Sequence, residues 1–145
     1  MLAAAGEVAA LSPWRRRRLG MTRRYQCAAE HLDNAYTSGR EMMRWSVATI
    51  REDEPVPANV PAALEHFGEA LRLLHRDFLV GREPEPTRAR ALQAIGEADE
   101  ACAQGLEFSG NAVVAQLRAA VSELLQASGL SEAEANEQAG LTRHG

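Results

Sequence analysis

The chain has 145 residues, 46 % of them apolar and only 5 % aromatic, with a formal net charge of −4. That is the size and make-up of one globular domain, and so few aromatic residues argue against a sheet sandwich and for helices packed through leucine, valine and alanine. No apolar run reaches the roughly 18 residues of a membrane-spanning helix, and the two cysteines, Cys27 and Cys102, have neither metal-ligand spacing nor the look of a disulfide framework.

Residues 1–11 are small and apolar, with the arginines after the apolar stretch, which is the wrong order for a signal peptide. They read as a leader or the remnant of a helix. Ser12-Pro13 is the first firm helix start, serine as N-cap and proline at the first helical position. The spacing predicts a long helix from Pro13 to about Glu52, with a weak point at Gly20 and a core-facing stripe of Tyr25, Ala29, Leu32, Tyr36, Gly39, Met43, Val47 and Ile50. At ~1.5 Å per residue it is on the order of 55 Å long, a rod or a kinked pair of segments.

The stretch Asp53-Glu54-Pro55-Val56-Pro57, with two prolines that cannot continue a helix, ends it, and Asn59 is placed to cap the next one. The second helix carries the cleanest row in the chain, Leu64, Phe67, Leu71, Leu74 and Phe78, in steps of three and four. Gly81 stops it. A third helix is predicted from about Pro86 to Gln104 with a thin stripe of Leu92, Ile95, Ala98 and Cys102, followed by a break over Gly105–Gly110. The fourth, about Asn111 to Ser128, lines up Val114, Leu117, Val121 and Leu124, and Gly129 stands where a left-handed cap belongs. Ser131 and Glu134 have the capping-box spacing, opening a short last helix that ends near Gly140. The reading is therefore all-α: an antiparallel bundle over residues 12–130, with one long N-terminal helix, three medium helices and, in 131–145, a short C-terminal helix and tail.

Chemistry is sparse. None of His31, His66, His75 and His144 has an acid three residues before it, so the Glu-x-x-His signature of carboxylate-bridged metal bundles is absent. His75-Arg76-Asp77 spells the kinase catalytic tripeptide without the glycine-rich loop or strand lysine; all 16 basic residues are arginine. The residues after His31 are not the small and basic ones of a phosphotransfer histidine. No phosphate loop, nucleophile elbow or Cys-x-x-Cys pair occurs, and no cofactor or catalytic residue is assigned. Arg40 or Arg44 beside Trp45 could grip the carboxylate of a small aromatic acid, the sequence's one hint of a soluble regulator. Arg15, Arg16, Arg17 and Arg18 form the strongest charge feature. An anionic lipid surface suits such a run; the acidic chain, without interleaved aromatics, speaks against nucleic acid.

Several stretches in order resemble one family: Leu11-Ser12-Pro13-Trp14 with Arg15–Arg18; His31-Leu32-Asp33-Asn34-Ala35 on to Arg40; Glu54-Pro55-Val56-Pro57 leading into Leu64–Leu74; Gly81-Arg82-Glu83-Pro84; and Asn111–Arg118 followed by Leu124–Gly129. Together, over roughly Leu11 to Leu130, they resemble the C-terminal cytoplasmic region of the bacterial FUSC family, the fusaric acid resistance or aromatic acid exporters. The resemblance implies a helical part at the inner face of the cell membrane, partnered by copies of itself or by a membrane transporter half, and supplies no catalytic residue. This sequence departs from the family in having no membrane helices, which suggests a truncated gene product, a fragment with a late start codon or a free-standing descendant. The rows Leu64, Phe67, Leu71, Leu74, Phe78 and Val114, Leu117, Val121, Leu124 are the expected core and contact seams.

Overall fold

The computed structural model describes residues 13–142, together with the side chains of all of these except 14–22 and 24. Every regular element is helical: α1 (Pro13–Arg51), α2 (Asn59–Val80), α3 (Glu85–Gln104), α4 (Phe108–Ala127) and α5 (Glu132–Gln138). The all-α bundle with one long first helix and a short last one is thus the observed fold.

The helices form two antiparallel pairs. Along α1 and α4, His31 meets Glu123 at one level and Trp45 meets Phe108 near the other end. Along α2 and α3, Asn59 meets Glu97 and Gln104, His66 meets Arg90, and Asp77 meets Thr87. The pairs join through α4, whose Arg118 reaches Asp99 of α3 while Ser128, just beyond α4, receives Arg88. Helix α4 is the hub: Val113, Val114, Leu117, Ala120, Val121, Leu124 and Leu125 are all buried, more than one face of the helix. The short α5 closes the bundle end, and its Ala135, with the adjoining Ala139, joins the main core.

Three local readings need correction. The helix α1 is continuous through Gly20 and ends at Arg51; Asp53, just beyond it, takes a left-handed conformation (φ 53°) while Glu54 N–H returns to Thr49 and Asp53 N–H to Ile50. An aspartate tolerates that conformation better than most side chains, so the helix stops at the head of the expected Asp53–Pro57 stretch, ahead of its prolines. Asn59 does not cap α2; its side chain donates to Glu97 and accepts from Gln104, tying the start of α2 to the end of α3. The break after α3 spans only Gly105–Glu107, because α4 starts at Phe108. The stops at Gly81, Gly129 and Gly140 have the positive φ expected of helix ends, and Ser131 Oγ accepts from Glu134 N–H as the capping box requires.

The burial pattern re-phases two helices. Among the described side chains of α1 the buried positions are Ala28, Ala35, Met42 and Thr49, one every seven residues. The larger apolar residues of the expected stripe, Tyr25, Tyr36, Met43, Val47 and Ile50, are exposed, and only Leu32 packs against the core. In α2 the buried row is Val60, Ala63, Phe67, Ala70, Leu74 and Asp77. It shares Phe67 and Leu74 with the expected seam, whereas Leu64, Leu71 and Phe78 lie half-buried at its edge. In α3 the inner face is nearly all alanine, with Ile95 and Thr87, and Leu92 and Cys102 point outward. The α4 row Val114, Leu117, Val121 and Leu124 is wholly buried as expected.

Candidate interaction surface

Two kinds of polar site can be separated from the rest: those that close helix ends and those that face solvent. Helix α4 has no cap of its own, since Glu107 at its N-cap position makes no side-chain bond. Its first-turn donors are met from the α1–α2 connection. Glu54 accepts from Ser109 N–H (3.1 Å) on one oxygen and from Gly110 N–H (3.0 Å) on the other. Burial pushes its carboxyl up, but the Ser109 hydroxyl and the Ser109 and Gly110 amides outweigh that, and it lies below the ordinary value of 4.5. A depressed carboxyl stabilises the fold above the unfolded value and loses that contribution as pH falls through the folded one. Glu54→Gln is therefore expected to melt at a lower temperature than the parent at pH 7, with the difference closing below pH 4.5; thermal melts across that range check it, and a gap of constant size would refute the capping role.

Helix C-termini are closed by two arginines. Arg88 donates to Ser128 Oγ (3.0 Å) and to the Ser128 carbonyl (2.7 Å) beyond α4, and Arg118 donates to the Ala139 carbonyl (3.2 Å) beyond α5. Both bring positive charge where helix carbonyls are left over. Gly140 makes the second clamp feasible: a Cβ there would lie 2.6 Å from an Arg118 guanidinium nitrogen. Asp77 organises the α2–α3 turn, its carboxylate accepting from Thr87 and its carbonyl from Gly81 and Arg82. A cleft of about 310 Å³ beside it is lined by Tyr25, Phe78, Arg82 and Ser128 among others.

The remaining candidates from sequence are held in ordinary surface contacts. His31 Nδ1 is 2.7 Å from Glu123, which Asn34 also approaches, so this histidine is part of the α1–α4 contact. His66 is bonded to Arg90, and His75 is exposed. Arg44 and Trp45 line one open surface pocket with Met43, Val47 and Arg51, where Arg44 is paired with Glu41 at 3.1 Å and Trp45 stands edge-on to Phe108; Arg40 is exposed and not part of its lining. Both cysteines are exposed rather than buried. Among the described residues no group of three histidine, cysteine or acidic side chains could hold a metal ion, and no helix is long and apolar enough to cross a membrane. The backbone of Arg15, Arg16, Arg17 and Arg18 belongs to α1; their side chains, like all of His144, lie outside the described residues.

What the chain does present is apolar surface on α1. Tyr36 is 69 % exposed, Met43 66 %, Val47 43 % and Ile50 80 %. On a helix these residues share a face beside the buried row, turned away from α4. At the opposite end the same flank borders a groove between α1 and α2, lined by Leu32, Tyr36, Leu71, His75 and Phe78. The groove exists because α1 and α2 pack on different partners and touch chiefly where Tyr25 lies against Phe78 and donates to its carbonyl. Scattered exposed leucines need no explanation, but a row of large apolar side chains in register does. Its sequence signal is the apolar stripe itself, which helical spacing alone does not distinguish from core.

Comparison with known proteins returned no matching family model, curated protein or solved structure.

Proposed function

We propose that this chain is a non-catalytic helical assembly domain, the cytoplasmic part of an exporter system of the FUSC type. The observation that carries the assembly role is the outward row of α1: Tyr36, Met43, Val47 and Ile50 in water on a helix whose packing needs are already met by Ala28, Ala35, Met42 and Thr49. Transferring a large apolar side chain out of water is worth roughly 1.5–3 kcal/mol, so a row of four is a costly surface unless another protein covers it. The exporter context is supported by the ordered segments that resemble that family, from Leu11-Ser12-Pro13-Trp14 to Leu124–Gly129. In that setting the domain lies at the inner face of the cell membrane. Arg15, Arg16, Arg17 and Arg18 meet anionic headgroups, and the α1 row meets either another copy or a membrane-embedded transporter half.

Photo-crosslinking in cells tests the role. A benzophenone amino acid placed at Tyr36 or Ile50 is expected to yield a protein adduct in the membrane fraction, whereas the same group at Glu100, exposed on α3, yields none. Absence of any adduct from Tyr36 and Ile50 overturns the assembly function.

A further inference from the structure

The outward row of α1 has a symmetry of its own. Its members Tyr36, Gly39, Met43, Val47 and Ile50 are spaced three, four, four and three, so the row reads the same in both directions about Met43. A two-fold interface requires a surface that is complementary to itself, each residue meeting the counterpart of its own partner. Laid antiparallel on a second copy, this row satisfies that requirement: Met43 meets Met43, Tyr36 meets Ile50, and Gly39 meets Val47. We infer that two copies of the chain pair antiparallel through this face of α1, with Met43 on the two-fold axis. The inference rests on the assembly function and names its partner.

Two features beyond the spacing favour a second copy as the occupant. The first is size. Complete covering of the four large side chains, 69, 66, 43 and 80 % exposed, removes at most about 1,000 Å² from a pair, the range of small, transient interfaces. The second is relief. A Cβ at Gly39 would find nothing within 4 Å, so the middle of the row is open toward solvent, and a glycine there lets the branched Val47 of another copy approach the backbone. A contact this small, with a flexible methionine at its centre, belongs with weak, reversible association.

Sedimentation equilibrium of the whole chain, over concentrations up to about 100 µM, tests the pairing. Two substitutions are chosen because neither disturbs the protomer. Gly39→Gln enters open space in a helix interior, where losing a glycine favours the helix, and Ile50→Arg alters a side chain that is 80 % exposed. The expected result is a monomer–dimer equilibrium in the parent chain, weakened at least about tenfold by either substitution, with thermal melts of dilute protein no lower than the parent's. A parent chain that stays monomeric throughout overturns the inference. So does a dimer that persists unchanged in both variants, because it must use another face. The assembly function is judged separately: adducts at Tyr36 and Ile50 that carry a different protein, rather than a second copy, leave it standing while removing the pair.

Discussion

Leu74→Asp is expected to remove most of the stability of the fold. Leu74 is 1 % exposed and lies in the core shared by α2, α3 and α4. The substitution deletes that apolar contact and places an ionisable group among side chains that offer it no partner. It also sets a second carboxylate one helical turn from Asp77, itself 2 % exposed and engaged by Thr87. Burying an unpaired charge of this kind costs several kcal/mol. Against the 5–15 kcal/mol typical of a whole domain, a loss of about 4 kcal/mol lowers the melting temperature by more than about 10 °C or leaves the chain unfolded. Circular dichroism at 222 nm followed through a thermal melt reads the effect. The corresponding change at Leu71, half-buried at the edge of the same helix, is milder, because a carboxylate there can turn to the α1–α2 groove and water.

That contrast shows which parts of the fold were legible in the sequence. Helix number, order and most ends could be read directly, because they depend on local signals. Gly81, Gly129 and Gly140 take positive φ, Ser131 accepts the first-turn amide of α5, and prolines space α1 from α2 and α2 from α3. The row in α4 could be read too, since that helix is buried on more than one side and any apolar row along it reaches core.

Phase along the other helices was harder, and for one physical reason. Hydropathy ranks side chains by size, whereas close helix packing is decided by shape. Helix α1 buries Ala28 and Ala35, not Tyr36 and Ile50, because the small residues let its backbone settle against the valines and leucines of α4. Helix α3 does the same with Ala91, Ala94, Ala98 and Ala101, all fully buried, while its one leucine, Leu92, faces out. Helix α2 alternates the two kinds, Ala63 and Ala70 with Phe67 and Leu74, and so shares only part of the seam that large residues alone would draw. Nor could spacing reveal Glu54 as the cap of α4, Arg88 and Arg118 as the clamps at helix ends, or Asn59 as a tie to α3. Each of these bonds joins residues far apart in sequence, and no local pattern encodes them.

The re-phasing of α1 also carries the functional consequence. Had the large stripe been core, the chain would have had no apolar row to offer a partner; because it is not, the row Tyr36, Met43, Val47 and Ile50 is available for one. Two neighbouring methionines decide between the alternatives. Met42 is 4 % exposed and packs in the main core, and Met43 is 66 % exposed. Both are the same side chain in the same helix, so helix propensity and composition cancel, and only the face differs.

Paired melts of Met42→Asp and Met43→Asp, at protein concentrations too low for self-association, therefore measure the phase of α1 itself. Met42→Asp is expected to cost about 3–5 kcal/mol, the loss of a buried side chain together with an unpaired buried charge. Met43→Asp is expected to lie within about 0.5 kcal/mol of the parent, as surface substitutions do. If Met43→Asp destabilises the chain and Met42→Asp does not, the outward row of α1 is core after all, and the assembly surface built on it does not exist.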